Sequence, residues 1–391
     1  MKILFVSHDA NRAGGQLFLL NIMQYLQQNG FETQLLLLEG GVLENKFQDI
    51  CKVWLVSKNS QAQSKNLYKK AFSKLSRNRR ESYQENNDLF TKLKAENFDL
   101  IYANTIATGS ILSGLVGFLN TPFYVHIHEL EFSIQLYSTK KERDFLFKNS
   151  TKIIACSNAV FQNLIENHGV SVEKIEVIHS FVENESVLLR TQKVDSEVIK
   201  EKYGLPKESF LIGGCGNAEW RKGLDIFIQV TSQIINSTNE KCHFVWIGVQ
   251  KSGEYYDQIC YDLVKIGIKN RVTFIEQTPD AIELITCLDV FTIVSREDPF
   301  PLVMLEAALA QKTIIGFENT GGCSEFIEAD AGLLVPYLNT PLMASNIIKL
   351  FKNPSFAKQM GQRAKEKVLN KYSFEHSILK IEGVLKEISL N

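Results

Sequence analysis

Proline is scarce, with 8 residues in 391, and glycine contributes only 23, which excludes collagen-like and low-complexity chains. Cysteine offers little more. The seven thiols (Cys51, Cys156, Cys215, Cys242, Cys260, Cys287, Cys323) are odd in number, scattered and never spaced C-x-x-C, so no disulfide framework or zinc site is indicated and a reducing cytosol fits. An excess of one charge is missing too: 43 Lys and Arg balance 44 Asp and Glu, a net charge of −1. No global basic field draws the chain to nucleic acid, and any binding of a polyanion must be local. Long apolar runs are absent as well. The longest weakly polar stretch, 106–119, is interrupted by Thr108, Ser110 and Ser113 and falls short of the roughly 20 residues that a spanning helix needs, so it reads as a buried helix. The start, MKILFVSHDANRAGG, lacks the apolar stretch and cleavage site of a signal peptide, which predicts a cytoplasmic protein.

What is present is a globular composition, 45% hydrophobic and 10% aromatic, on a length that suits two or three domains at about 150 residues each. Short β-branched or aromatic runs alternate with helical patterns: KILFVSH, a helix from about Gln16 to Gln28, TQLLLL, DLIYAN, PFYVHIH and KIIACS. Such alternation predicts βαβ units and a parallel sheet covered by helices. From Ser180 to Ser209 the pattern is polar and ends in Gly-Leu-Pro, which reads as a linker. A second series follows: FLIGGCG, a helix from Leu224, CHFVWIG, a helix over 255–265, RVTFIE, DVFTIV, a helix from about Pro299, KTIIGF and AGLLV. A last amphipathic helix, 373–390, carries Phe374, Ile378, Ile381 and Leu385 at helical spacing. The expectation is two doubly wound Rossmann-like α/β domains, 1–185 and 186–372, with a ligand cleft between them at the carboxyl ends of the strands, and a C-terminal helix, 373–391.

Residues 295–310, SREDPFPLVMLEAALA, carry the sharpest signal. Asp298 followed by Pro299 reads as a helix N-cap with proline at the first helical position. The first-turn amides, including those of Leu302 and Val303, would then suit a phosphate. Glu306 would lie about 12 Å further along the axis, so that the two carboxylates could touch opposite ends of an extended ligand such as a nucleotide sugar. The plain alternative makes Asp298 a cap and Glu306 an acid paired with a lysine. In GGCGNAEWRKGLDIFI, Arg221 and Lys222 sit at a helix N-terminus against the macrodipole, an arrangement that makes sense if an anion comes from outside. A solvated pair offset by Glu219 is the alternative.

Together these segments resemble the retaining nucleotide-sugar glycosyltransferases of the GT-B fold, the glycogen-synthase-like family often numbered four. The family's basic pair matches Arg221 and Lys222, its two acids match Asp298 and Glu306, and a later Gly-Gly followed by Glu matches Gly321, Gly322 and Glu325. Asp298 replaces the usual Glu, and Pro301, which has no amide hydrogen, stands where many members have Gly. The resemblance is strong over 209–335 and weaker before it. It implies that Arg221 and Lys222 neutralise the leaving diphosphate, that Glu306 holds the ribose, and that Asp298 and His128 meet the sugar. It further implies retention of configuration without a metal or other cofactor, and a C-terminal helix that crosses back to the first domain.

In the N-terminal half, Gly14 and Gly15 precede a helix without forming either dinucleotide or P-loop spacing, so they read as a tight turn or, by resemblance, as the loop that approaches the donor. His126 and His128 share one face of a strand, His126 as a core histidine satisfied by a carbonyl. Metal binding by this pair would need further ligands, of which only Glu129 and Glu131 are near. Asn104 lines the same mouth or caps a loop. Residues 65–80, with seven basic and no acidic side chains, read as a basic amphipathic helix, either solvated or lying on an anionic membrane surface. The expected activity is transfer of a sugar from a nucleoside diphosphate donor, UDP- or GDP-linked, to a saccharide or lipid-linked saccharide, in surface polysaccharide or glycoconjugate assembly. A membrane-peripheral location on the inner face accompanies the lipid-linked acceptor. A non-catalytic partner subunit and a nucleotide-sugar epimerase are the rival functions.

Overall fold

Apolar runs that are buried on both sides become parallel strands, and this chain builds two separate sheets from them. The computed structural model describes residues 1–56 and 81–390, so the basic segment 65–80 lies outside the described residues. The first unit comprises Met1–Cys156, Val160–Ile178 and Ile378–Asn391. Its strands are β1 (Lys2–Ser7), β2 (Glu32–Leu37), β3 (Lys52–Leu55), β4 (Leu100–Asn104), β5 (Phe123–Ile127), β6 (Lys152–Ala155) and β7 (Ile175–Val177). They form one parallel sheet in the order β3-β2-β1-β4-β5-β6-β7. Every residue of β4 and β5 is buried, as helices on both faces of a parallel sheet require. The helix Gly14–Gln28 begins at Gly14, so the two glycines form its first turn rather than precede it. The helix Phe374–Lys386 buries Ile378, Ile381 and Leu385. Within this unit Tyr25 Oη donates to Glu382 at 2.9 Å and Tyr124 Oη to the Val384 carbonyl at 3.3 Å.

The second unit comprises Ser157–Ala159 and His179–Ser377. Its strands are β8 (Phe210–Cys215), β9 (Cys242–Ile247), β10 (Val272–Ile275), β11 (Val290–Ile293), β12 (Thr313–Phe317) and β13 (Gly332–Val335), in the order β10-β9-β8-β11-β12-β13. Phe227, from the helix Leu224–Ser237, meets Trp246 of β9 edge-on at 5.1 Å. Both side chains are buried, and burying each is worth about 1.5–3 kcal/mol or more.

The polar stretch that reads as a linker is instead part of this unit. Helices Asn184–Gln192 and Ser196–Lys202 occupy it, with Val187 and Leu205 buried. Arg190 Nε donates to Glu283 at 2.8 Å, and Tyr203 Oη donates to Asp280 at 2.8 Å. Four buried apolar residues of the stretch, Phe181, Val182, Val187 and Leu205, and these polar bonds hold what periodicity alone does not reveal.

In each sheet the strand order reverses at one place, between β1 and β4 in the first and between β8 and β11 in the second. Loops leaving adjacent strands there turn to opposite faces of the sheet, which opens a crevice at the carboxyl ends. Among the described residues no helix is long and apolar enough to cross a membrane.

Candidate functional site

The second unit's crevice is built by the segments after β8 and β11. Beyond β8 the chain makes a short 3₁₀ turn, Trp220–Lys222, and then Gly223 at φ 74°, before the helix Leu224–Ser237. A Cβ on Gly223 would stand 2.1 Å from the Val294 carbonyl oxygen, so only glycine lets this turn lie against the end of β11. The turn thereby delivers Arg221 and Lys222 to the segment after β11.

There Lys222 Nζ donates to Asp298 Oδ2 at 2.6 Å, and Ser295 Oγ donates to the same oxygen at 3.1 Å. Arg221 Nη1 lies 3.7 Å from Asp298 Oδ1 and donates to the Glu297 carbonyl at 3.0 Å, while Nη2 donates to Glu219 at 3.0 Å. Asp298 is only 6% exposed. Burial alone would raise its pKa, but the charges of Lys222 and Arg221 and the bonds from Lys222 and Ser295 hold it below the usual carboxylate range. A depressed folded-state pKa contributes stability above the unfolded value, about 4, that is lost as the pH falls through the folded value. Asp298→Asn is therefore expected to be less stable at pH 7 yet to lose less of its remaining stability on acidification, as urea melts at pH 7 and pH 3 will show.

Asp298 is not the helix cap that the sequence suggests. The helix runs Leu302–Leu309 with Pro301 at its N-cap. Asp298 instead forms a parallel bridge with Gly321, its amide donating to the Thr320 carbonyl at 2.7 Å. The reason is local: prolines at 299 and 301 push Asp298 and Phe300 toward extended backbone, so the helix waits until the second proline has passed. The two acids consequently do not lie on one helical axis. Leu302 and Val303 remain the first two helical residues, whose amides have no acceptor earlier in the helix. Cys215, Lys222, Ser295, Asp298, Pro301 and Val303 line one pocket.

Glu306 is half-buried, one turn on. The pKa of Arg190 is raised first by its hydrogen bond to Glu283, with the charges of Glu306 and Asp280 adding to it. Burial, and then Glu306, pushes the Cys215 thiol up to about 12. A Cβ on Gly322 would come within 2.4 Å of Phe300 Cδ2, and its amide donates to the carbonyls of Asp298 and Pro299 at 3.1 and 2.9 Å. Gly321, at φ 123°, makes that approach possible. These glycines therefore shape the loop that holds Asp298. Glu325 Oε2 accepts from the Asn158 amide, at the start of the helix Asn158–Glu166, at 3.0 Å and bonds His179 Nε2 at 3.3 Å, which makes it an anchor for both segments.

In the first unit, Asn104 at the end of β4 and His128 just past β5 meet with His128 Nε2 3.0 Å from Asn104 Oδ1. Asn104 Nδ2 donates to the Gly15 carbonyl at 3.2 Å. Burial, and then the charge of His8, lowers the His128 pKa to about 3. His126 bonds the Tyr102 hydroxyl at 2.7 Å rather than a carbonyl, and its buried Nε2 has no partner among the described residues. Among the described residues no group of three or more His, Cys, Asp or Glu is placed to hold a metal. Sequence reasoning missed Ser295, although a hydroxyl at the strand end just before Asp298 is a usable signal, and Arg190, for which no local signal exists.

Two family models match the chain: Glycosyltransferase Family 4 over residues 12–186 and Glycosyl transferases group 1 over 195–367. The N-acetyl-alpha-D-glucosaminyl L-malate synthase of Bacillus anthracis is 24% identical over 215 residues, 55% of this chain and 54% of that protein. The capsular polysaccharide biosynthesis glycosyltransferase CapM of Staphylococcus aureus is 24% identical over 225 residues, 57% of this chain and 58% of that protein. The chain thus spans little more than half the length of these curated relatives. Anabaena Alr3699/HepE, crystallised in complex with UDP and glucose, superimposes with a TM-score of 0.82 at 19% identity over 99% of both chains, a likeness of fold. The fold class is GT-B, and with one model on each half the chain belongs to the group 1 glycosyltransferases.

Proposed function

We propose that the chain transfers a glycosyl group from a nucleoside diphosphate sugar, UDP- or GDP-linked, to a saccharide or lipid-linked saccharide acceptor in surface polysaccharide or glycoconjugate assembly. The observation that carries this is the convergence of Lys222, Arg221 and Asp298 beside the N-terminus of the helix Leu302–Leu309. An ammonium has three hydrogens to donate, and Asp298 uses one. The others, with the amides of Leu302 and Val303, suit a diphosphate. Charge that develops on the leaving diphosphate would be met by groups already in place, and in many enzymes such preorganisation lowers the barrier more than any other single effect. Support also comes from CapM, a capsular polysaccharide enzyme by name, and from HepE, whose structure holds UDP and glucose.

In this mechanism Glu306 holds the ribose, and Asp298 both aims Lys222 and faces the sugar, with His128 as the sugar's second partner. Gly14 and Gly15 approach the phosphate. Gly321 and Gly322 act on the donor through the loop they shape, and Glu325 binds the nucleotide sugar. No protein nucleophile is assigned, so the acceptor hydroxyl attacks on the face from which the diphosphate leaves and gives up its proton to the departing phosphate, with retention of configuration. Cationic side chains supply the neutralisation, and no metal is assigned. Attachment to the inner face of a membrane, near lipid-linked acceptors, belongs to the same proposal.

The experiment is incubation with a panel of UDP- and GDP-sugars and saccharide or lipid-linked acceptors, following nucleotide release and the anomeric configuration of the product by NMR. Acceptor-dependent release with a retained anomer is expected; release or sugar conversion that ignores the acceptor would point to the epimerase instead. Because His128 is neutral down to about pH 3, the pH profile of kcat/KM is expected to show no limb near 6.5 that vanishes in His128→Gln.

A further inference from the structure

A backbone carbonyl can only accept a hydrogen bond, and in the first unit that fact passes along three residues. The Gly15 carbonyl lies 3.2 Å from the Asn104 side-chain amide. The atom facing it must be the NH₂ group, since the flipped amide would set two oxygens against each other. Oδ1 of Asn104 therefore faces His128, 3.0 Å from Nε2, and an oxygen without hydrogen there requires the proton on Nε2. Nδ1 is left as a lone pair, and it makes no hydrogen bond among the described residues.

The ring is held in this setting from other sides. His126 stacks on it with centroids 4.0 Å apart and 27° between the planes, and Phe18 meets it edge-on at 5.2 Å. The His128 backbone amide donates to Glu129 Oε2 at 2.9 Å. His8 does not compete for Nδ1: its own nitrogens are engaged with Thr105 Oγ1 and Gln16 Nε2, both at 3.1 Å.

We infer that Asn104 is a positioning residue: oriented by the Gly15 carbonyl, it fixes His128 as the Nε2–H tautomer, so that Nδ1 accepts a hydrogen bond from a hydroxyl of the transferred sugar. The last clause rests on the transfer function proposed above; the tautomer does not. A phosphate or carbonyl oxygen is refused at Nδ1, because neither partner would carry a hydrogen. Gly15 thus acts through its carbonyl as well as by lying in the first turn of its helix.

The test uses the full-length chain labelled with ¹³C,¹⁵N-histidine, with the His128 signal identified by its absence in His128→Gln. Imidazole carbon and nitrogen shifts separate the two neutral tautomers. The unaltered protein is expected to show Nε2–H, Asn104→Gln, which keeps both the amide donor and the acceptor, to retain it, and Asn104→Leu to populate Nδ1–H. Transfer is expected to fall about a hundredfold in kcat/KM for Asn104→Leu and less than about tenfold for Asn104→Gln, with nucleoside diphosphate affinity changed less than about twofold in either. Melting is followed on both variants, so that unfolding is not mistaken for misorientation. Nδ1–H in the unaltered protein, an unshifted tautomer in Asn104→Leu, or equal loss of transfer in the two variants would overturn the inference. Absence of any transfer by the unaltered chain would count against the proposed function and not against the tautomer, which is read without substrate.

Discussion

Lys222→Ala is expected to lower kcat/KM for sugar transfer by about a thousandfold, the loss associated with removing a preorganised donor from a developing negative charge. Two things go at once. The leaving diphosphate loses an ammonium with hydrogens to spare, and Asp298, whose side chain is 8% exposed, loses its partner at 2.6 Å and keeps Arg221 only at 3.7 Å. An uncompensated buried carboxylate costs about 3–5 kcal/mol, less here because Arg221 and Ser295 remain. Stability and catalysis can be separated by adding Asp298→Asn to Lys222→Ala. The double variant no longer buries a lone charge, so its melting temperature should rise above that of Lys222→Ala, while transfer stays lost. Recovery of transfer together with stability would mean that Lys222 serves the fold alone.

Gly223→Ala is expected to be the most disruptive single methyl in the donor crevice. The position sits at φ 74°, and the new Cβ would fall 2.1 Å from the Val294 carbonyl oxygen and 3.0 Å from its carbon. Both obstacles are backbone, so no side chain can swing aside. Left-handed strain plus displacement of the end of β11 should cost about 3 kcal/mol or more, a fall of about 6–12 °C in the melting temperature of a unit this size. Any fold that survives would carry Arg221 and Lys222 away from Asp298, with loss of nucleotide affinity. Gly15→Ala is the contrast: its Cβ would meet Thr105 and Asn104 at 3.8 and 4.0 Å, ordinary contacts, and its stability should change by less than about 1 kcal/mol. Equal melting of the two variants would contradict this assignment of strain.

Strands buried on both faces were plain in the sequence because they are continuous apolar runs, as in LIYAN of β4 and CHFVWI of β9. The edge strands β3 and β7 were not, since KVWL is half-exposed along its length and IEV has only three residues. Lys222, Asp298 and Glu306 also stand out in the sequence by type and spacing, and the structure brings the first two together in one pocket. What local chemistry could not give was their partners. Lys222 and Asp298 are 76 positions apart, and their pairing depends on a glycine turn packed against the end of β11. The cap signature at Asp298 predicts a helix start there, but the Pro-x-Pro of residues 299–301 delays the helix to Leu302. Asn104 was legible only as a strand end, because its meaning lies in Gly15 on one side and His128 on the other.

The most direct measurement is calorimetric binding of a nucleoside diphosphate and of the matching monophosphate, UDP against UMP or GDP against GMP, to the unaltered chain and to Lys222→Ala. A diphosphate seated between Lys222 and the amides of Leu302 and Val303 predicts that the diphosphate binds at least about tenfold more tightly and that Lys222→Ala abolishes the preference. A preference that survives the substitution unchanged, or none in the unaltered chain, would contradict the site.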